Sequence, residues 1–401
     1  MAFSCEGVPR SASGKYTLSL RLVFDILAGA AALGALTGIG YYLLCIVSAR
    51  SFLGDRGLNR RLHVPGATIL KPLRGVDPGI YESFRSHCLQ DHPNFELVFG
   101  VSDAQDAAIP LVRKLQSEFP GLRIELVVAD TLLGSNGKVS TLAQMLPIAT
   151  QEYLIVNDSD ITVEPDYLRR VIAPFTNPDV GMVTCLYRGI AERTLGSRIE
   201  SVGISTDFAA GVLAARIVQG VKFGLGSTMA FRRDDLEQIG GFEAVVDYLA
   251  DDYEIGARIS KLGREVVLSD VVVETHLPAY SFGEFFRHQL RWARAIRDSR
   301  KFDYLGMGLT FGLPWALCAV LFASGAEWSW WLLGVVLLSR FAMAVQVGRG
   351  VLHDRQLARD WWLVPIRDLI ALLVWVASFA GHTVKWRGQE FALKHGKLVR
   401  P

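Results

Sequence analysis

Tyr153-Leu154-Ile155-Val156-Asn157-Asp158-Ser159-Asp160 is the stretch on which the fold of this chain turns. Four apolar residues end abruptly in two carboxylates one residue apart, the form of a buried strand that delivers acids to its carboxyl end. Hard divalent cations take oxygen ligands, and magnesium or manganese held with a diphosphate needs only one or two protein carboxylates. A nucleotide-sugar is one such diphosphate. The same Asp-Ser-Asp also suits a turn and the cap of a helix beginning near Pro165, so the neighbouring sequence has to decide.

On both sides of this stretch short β-runs alternate with helical ones, which predicts an α/β layer structure. The expected strands are Ala67 to Lys71, Phe95 to Val101, Arg123 to Val128, Tyr153 to Asn157, Gly181 to Leu186, Thr228 to Arg232 and Glu265 to Ser269. Pro78 to Asp91, Ala108 to Phe119, Val139 to Ala149 and Tyr167 to Phe175 carry apolar residues at helical spacing. Open α/β sheets bind ligands beyond the carboxyl ends of their strands. Three acidic clusters fall at such places: Ser102-Asp103-Ala104-Gln105-Asp106, Asp158-Ser159-Asp160, and Ala250-Asp251-Asp252-Tyr253-Glu254 at the head of the run Ile255 to Leu262. Thr194 to Val221 is rich in small residues and gives weak signals for either element.

Half of the 401 residues are hydrophobic and the mean hydropathy is positive, so water alone is not the solvent. Val23 to Val47, Leu305 to Ala323, Trp328 to Val347 and Leu363 to Ala380 each approach the ~20 residues needed to cross a bilayer. The first is longer than the apolar core of a cleaved signal peptide and reads as a retained anchor. Arg50, Arg56, Arg60 and Arg61 follow it and outnumber Arg10, Lys15 and Arg21 before it, which places the segment after the anchor in the cytosol. The expected organisation is a tail and anchor over 1–50, a cytosolic catalytic domain over 51–302, and membrane or interfacial helices with a basic tail over 303–401. Lys385, Arg387, Lys394, Lys397 and Arg400 favour a cytosolic tail, so one C-terminal apolar segment is expected to be re-entrant or interfacial. Leu363 to Ala380, interrupted by Arg367 and Asp368, is the first choice. Phe282 to Arg297 reads as an amphipathic interfacial helix.

The five cysteines are scattered without CxxC spacing, which suits a reduced compartment and suggests no zinc site. A net charge of +2 gives no field to gather nucleic acid.

In order along the chain, Ile69-Leu70-Lys71-Pro72-Leu73-Arg74-Gly75-Val76-Asp77-Pro78, Ser102-Asp103, Asp158-Ser159-Asp160, Ala250-Asp251-Asp252-Tyr253 and Arg291-Trp292 resemble the ceramide glucosyltransferase family. Val183-Thr184-Cys185-Leu186-Tyr187-Arg188-Gly189 looks most like its bacterial branch, which includes hopanoid-associated glycosyltransferases. The resemblance runs from about Ala67 to Arg297, with a weaker echo at Lys385-Trp386-Arg387-Gly388. It implies a GT-A fold, a Rossmann-like mixed sheet with a nucleotide-sugar and a divalent metal, Mg2+ or Mn2+, over its edge. On the same footing Asp103 holds the uridine part, Asp158 supports the nucleotide and the metal, and Asp160 binds the metal. Asp252 takes the proton of the acceptor hydroxyl, with Asp251 beside it as the competing base. Arg291 faces phosphate, and Trp292 offers a flat wall to donor or acceptor. His288 stands where the family usually has Gln or Arg and is assigned to the acceptor pocket. Lys138 is a donor contact, and Gly226 and Ser227 form a small-residue turn in the pocket.

These residues imply a multi-pass enzyme of the bacterial inner membrane that moves a hexose, glucose first, from a UDP-sugar to a lipid hydroxyl with inversion. Thr206-Asp207 replaces the His-Pro pair usual near Ser205 to Phe208 in animal enzymes, which leaves ceramide and hopanoid acceptors both open, the latter with UDP-N-acetylglucosamine. A processive polysaccharide synthase shares the motif logic but needs a polymer channel. A transporter would keep its sites among the spans, and a catalytically dead binding protein would be expected to have lost an acid.

Overall fold

Val, Ile, Leu and Phe fill both faces of the central β-runs, and such runs can be satisfied only inside a layered sheet. The computed structural model describes residues 13–57, 65–386 and 389–399. Arg10, Arg60, Arg61, Arg387, Gly388 and Arg400, named above, and Cys5, one of the five cysteines, lie outside these residues.

Eight strands make one sheet: β1 (Ala67–Leu73), β2 (Phe95–Val101), β3 (Ile124–Val128), β4 (Tyr153–Val156), β5 (Ile161–Thr162), β6 (Val180–Ile190), β7 (Met229–Arg232) and β8 (Glu265–His276). Their order is β3-β2-β1-β4-β7-β6-β8-β5. The first four are parallel, β7 runs antiparallel to both β4 and β6, and β8 is parallel to β6. All seven expected strands are present. β5 was not expected, because two residues carry no periodicity. β6 and β8 run well past their expected ends, since a register shift at Cys185/Leu186 lets their pairing continue to Ile190 and His276.

Register positions the functional turn. Leu70 pairs with Val156, so the next residues, Lys71 and Asn157, emerge side by side at the sheet edge. Val156 also pairs with Met229 across the antiparallel β4–β7 ladder, which sets the Gly226–Thr228 turn beside Asn157-Asp158. Side chains alternate between two cores. Ile69, Leu97, Phe99 and Ile155 point to one, and Leu70, Val98, Leu154 and Val156 to the other. The second core is continuous with Ala35, Tyr42, Cys45 and Ala49 of the N-terminal helix Ser13–Gly54 and with Leu313, Val336 and Met343.

The membrane segments depart from expectation in two places. Leu195–Gln219 is one of three helices among the described residues that are long and apolar enough to cross a bilayer, with Leu20–Gly54 and Glu327–Val351, although its sequence gave weak signals. Its glycines lower intrinsic helix propensity, but they and the alanines allow close packing: a Cβ on Gly203 would meet Arg367 Nε at 2.4 Å. A π turn, Ile204–Phe208, interrupts it. Second, the segment expected as Leu305 to Ala323 is two helices, Lys301–Thr310 and Gly312–Phe322, bent by 55°. Leu363 to Ala380, the first choice for a segment that does not cross, is a 16-residue helix, Leu363–Ser378, with Arg367 and Asp368 buried, and it is not among those three.

The helix expected at the interface forms as Phe282–Ser299, opened by a capping box in which Ser281 and Glu284 bond each other's backbone. Two of its arginines turn onto the protein's own backbone. Arg294 and Arg297 donate to the carbonyls of Ala380, Thr383, Ser378 and Gly381 at the end of Leu363–Ser378, where unpaired helical carbonyls favour cations.

The basic tail folds into a second sheet, β9 (Thr383–Trp386), β10 (Gln389–Lys394) and β11 (Lys397–Val399). Leu398 N donates to Asp247 O at 2.7 Å and Leu249 N to Gly396 O at 3.1 Å. The tail therefore lies against the layer that carries the sheet, on the segment leading into Asp251.

Candidate active site

Asn157 organises the site from beneath. Fully buried, it donates through Nδ2 to Tyr167 Oη, Ser227 O and Thr228 Oγ1 at 2.9, 2.7 and 3.1 Å. This cross-link ties the end of β4 to the start of β7, so the chain must turn outward at Asp158. Asp158 N then donates to Gly226 O at 3.3 Å, and Gly226 N donates to Asp252 Oδ2 at 2.8 Å. A Cβ on Gly226 would lie 2.8 Å from Asp158 Oδ2 and 3.5 Å from Asp252 Oδ2. Two acids far apart in sequence therefore converge over one glycine. Gly226→Ala is expected to displace the Asp158 carboxylate and lower transfer about 10²-fold, as small misplacements of reacting groups do, while circular dichroism stays unchanged. Steady-state kinetics of the variant checks this.

Two lysines face these acids. Lys138 Nζ sits 2.8 Å from Asp158 Oδ1 and 3.2 Å from Asp251 Oδ2. Burial alone would depress this ammonium, but the charges of Asp158, Asp251 and Asp252 hold it well above the ordinary lysine value. Asn136 caps the helix Gly137–Met145 by accepting from Lys138 N and Val139 N, and so fixes where Lys138 begins. Lys71 is wholly buried, and Nζ donates to Asp158 O at 3.0 Å. Burial pushes it down to about 7, against the charges of Asp160 and Asp158. No role was read for Lys71 in the sequence, yet a lysine inside an otherwise apolar strand was a legible signal.

The adjacent acids Asp251 and Asp252 differ in surroundings. Both open the helix Asp251–Lys261, whose N-terminus favours negative charge. Asp251 is buried between Asn136 Nδ2, 3.4 Å from Oδ1, and Lys138. Asp252 is half-buried, accepting from Gly226 N through Oδ2 and from Tyr253 N through Oδ1, both at 2.8 Å. Burial, then the neighbouring Asp251 charge, pushes Asp252 up to about 6. Asp160 is raised to about 6 as well, by burial and the Asp158 charge, although its Oδ2 accepts from Thr275 Oγ1.

An aromatic run leads away from the acids. Burial, and then the charges of Glu200, Asp252, Asp158 and Asp160, raise the hydroxyl of Tyr187 above its ordinary value. Its ring is 5.1 Å from Phe208, which is 6.5 Å from Trp292, which is 4.8 Å from His288. Arg291 is partly buried and makes no ion pair among the described residues, so its guanidinium is available to a ligand. Ser227 turns its hydroxyl inward onto Cys185 O at 2.9 Å, leaving only its backbone to the turn. Asp103 is exposed just past the end of β2, and its Oδ1 accepts from Gln105 N at 2.8 Å within its own turn. Tyr187 and Glu200 were not singled out from sequence. Glu200 had a signal, as a lone carboxylate in a small-residue, apolar stretch.

No group of three His, Cys, Asp or Glu side chains suited to a metal occurs among the described residues. The donor set of Asp158 and Asp160 nevertheless fits magnesium or manganese, which take one or two carboxylates together with phosphate oxygens.

The chain is 21% identical over 350 residues to ceramide glucosyltransferase 1 of Caenorhabditis elegans, covering 84% of this chain and 73% of that one. It is 21% identical over 428 residues to the ceramide glucosyltransferase of Pyricularia oryzae, covering 84% and 86%. Among solved structures, mannosyltransferase PcManGT from Pyrobaculum calidifontis in complex with GDP-Man and Mn2+ superposes with a TM-score of 0.54 at 20% identity, covering 89% of this chain and 99% of that one. That likeness establishes the GT-A fold expected from the motifs. Glycosyl transferase family 21 matches residues 30–399, almost the whole of the sequence, and this chain belongs to that family.

Proposed function

We propose that this chain moves a hexose, glucose first, from a UDP-sugar to a hydroxyl of a membrane lipid such as ceramide, with inversion at the anomeric carbon. The observation that carries this reading is the convergence of Asp158, Asp252 and Lys138 about Gly226 at the strand ends, with membrane-length helices attached to the same core. Asp252 is the base. It is the more open of the adjacent pair, whereas Asp251 is committed to Asn136 and Lys138. Asp252 takes the acceptor proton, the acceptor oxygen bonds to the anomeric carbon, and the bond to the diphosphate breaks with its electron pair leaving on UDP. Lys138, Lys71 and Arg291 offset charge near the donor phosphates. Asp160, with Asp158, would hold Mg2+ or Mn2+, which supplies neutralisation of the leaving diphosphate. Asp103 holds the uracil or ribose at the margin. Trp292, Phe208 and Tyr187 wall the acceptor side.

We place the catalytic domain, with its boundaries near 51 and 302, on the cytosolic face of the bacterial inner membrane. Arg50 in the last turns of the first helix, Arg56 just after it, and the basic tail packed beside Asp247–Leu249 support that side.

Expression in a host that lacks glycolipids, followed by lipid mass spectrometry, tests the proposal. A new hexosyl-ceramide, absent with Asp160→Asn and lost from membranes treated with EDTA until Mn2+ is restored, is the expected result. A hexosaminyl-hopanoid in a hopanoid-producing host would move the acceptor and donor assignment, and no glycolipid in either host would overturn the lipid acceptor.

A further inference from the structure

Glu200 lies on the apolar helix Leu195–Gly203, is 1% exposed, and pairs with no lysine or arginine among the described residues. A buried carboxylate without a fixed cation is costly and calls for an explanation. Its oxygens accept from Gln289 Nε2 at 3.0 and 2.9 Å. The Gln289 amide cannot turn, because its Oε1 accepts from Arg367 Nη2 at 2.8 Å. The third group at Glu200 is His288, whose buried Nδ1 lies 3.4 Å from Oε1 without a hydrogen bond to it or to any other described residue. The negative charge beside that edge favours the tautomer with the proton on Nδ1, which leaves a lone pair on Nε2.

The surroundings decide where Nε2 looks. Nδ1 is buried while the side chain keeps 20% exposure, so the open edge of the ring is the Nε2 side. Tyr280 stacks on the ring at 5.5 Å and Trp292 packs at 4.8 Å, so the imidazole cannot swing. Trp292, Phe208 and Tyr187 continue the same aromatic wall.

We propose that Glu200 is a positioning residue that holds His288 with Nε2 open to the acceptor, where it accepts a hydrogen bond from a second hydroxyl of the lipid. This rests on the lipid-acceptor reading above. The first hydroxyl loses its proton to Asp252, and the second selects the lipid. A site built to bond a hydroxyl rejects an analogue lacking it far better than an apolar pocket rejects an added one.

The test uses the purified full chain in detergent with saturating UDP-glucose and two probes, short-chain ceramide and its 3-deoxy analogue. Wild type is expected to prefer ceramide by about tenfold or more in kcat/KM. His288→Ala and Glu200→Gln should bring that ratio close to one by raising the ceramide KM, with the KM for UDP-glucose unchanged. The double variant should be no worse than His288→Ala, and His288→Gln, which keeps an acceptor oxygen, should retain most of the preference. An unchanged ratio in His288→Ala, or a donor KM that rises in parallel, would overturn the proposal. If Glu200→Gln does not fold, the His288 pair alone decides. If wild type modifies ceramide without preferring it over the deoxy analogue, only this inference fails. If ceramide is inert, the ratio is read with UDP-N-acetylglucosamine and a hopanoid polyol against its monohydroxy parent. Wild type that modifies none of these lipids sinks the acceptor reading itself.

Discussion

Asp252→Asn is expected to lower transfer about 10³-fold, within the range for loss of a general base, with UDP-sugar affinity within about threefold of wild type. The asparagine keeps one oxygen for the backbone N–H groups of Gly226 and Tyr253 that the carboxylate now receives on separate oxygens, so the turn stays near its place while basicity is lost. Titration calorimetry with UDP and single-turnover kinetics separate the two effects. A parallel loss of binding would instead assign Asp252 to the donor. The pH dependence has a fixed sign. The base works ionised, and burial together with Asp251 has raised its pKa to about 6. Log kcat/KM should rise with unit slope below that pH and level off above it, and the residual activity of Asp252→Asn should lack this limb.

The second large effect is on stability. Arg340→Leu is expected to destabilise the protein by roughly 3–5 kcal/mol, the scale for removing one partner of a buried ionic group. Arg340 is 2% exposed within Glu327–Ala344. It bonds Asp368 through Nε at 3.0 Å and Nη2 at 2.7 Å, and Asp207 through Nη2 at 2.6 Å, beneath the ring of Tyr42 at 5.8 Å. One guanidinium thus ties together three separate helices and packs on a fourth. Its loss takes the ion-pair partner from buried Asp368 and leaves Asp207 with Arg367 alone, 3.5 Å away. The variant carrying Asp207→Asn and Asp368→Asn as well should recover most of the loss, because neutral amides need no counter-ion. Thermal unfolding in detergent measures both. A single variant that melts with wild type would show that water reaches the cluster.

Asp207 also shows why the acceptor region was hard to read. In sequence it is a polar residue in place of a His-Pro pair. In the fold its carboxylate is bound to Arg340 and lies 3.5 Å from Arg367 Nε, residues more than 130 positions away. Local patterning cannot foresee such pairing, because charges read as exposed or disruptive until their partners are known. Arg294 and Arg297 make the same point. They read as interfacial arginines, and they serve as caps for the end of another helix.

The strands, by contrast, were legible because burial on both faces demands unbroken apolar runs, and carboxylates at their ends had few other reasons to be there. The linear sequence therefore carried by itself the GT-A class and the presence of membrane-length helices, and it put acids 103, 158, 160 and 252 forward as candidates. Tertiary structure decided that Gly226 is the point over which Asp158 and Asp252 meet, since that depends on the antiparallel β4–β7 register. It separated Asp251 from Asp252 by their burial and partners. It also made a helix of Leu195–Gln219, whose small residues gain more from close packing than they lose in propensity. A sequence carries the chemistry of each group and the period of each element, whereas distances between groups remote in the chain exist only once the core has closed.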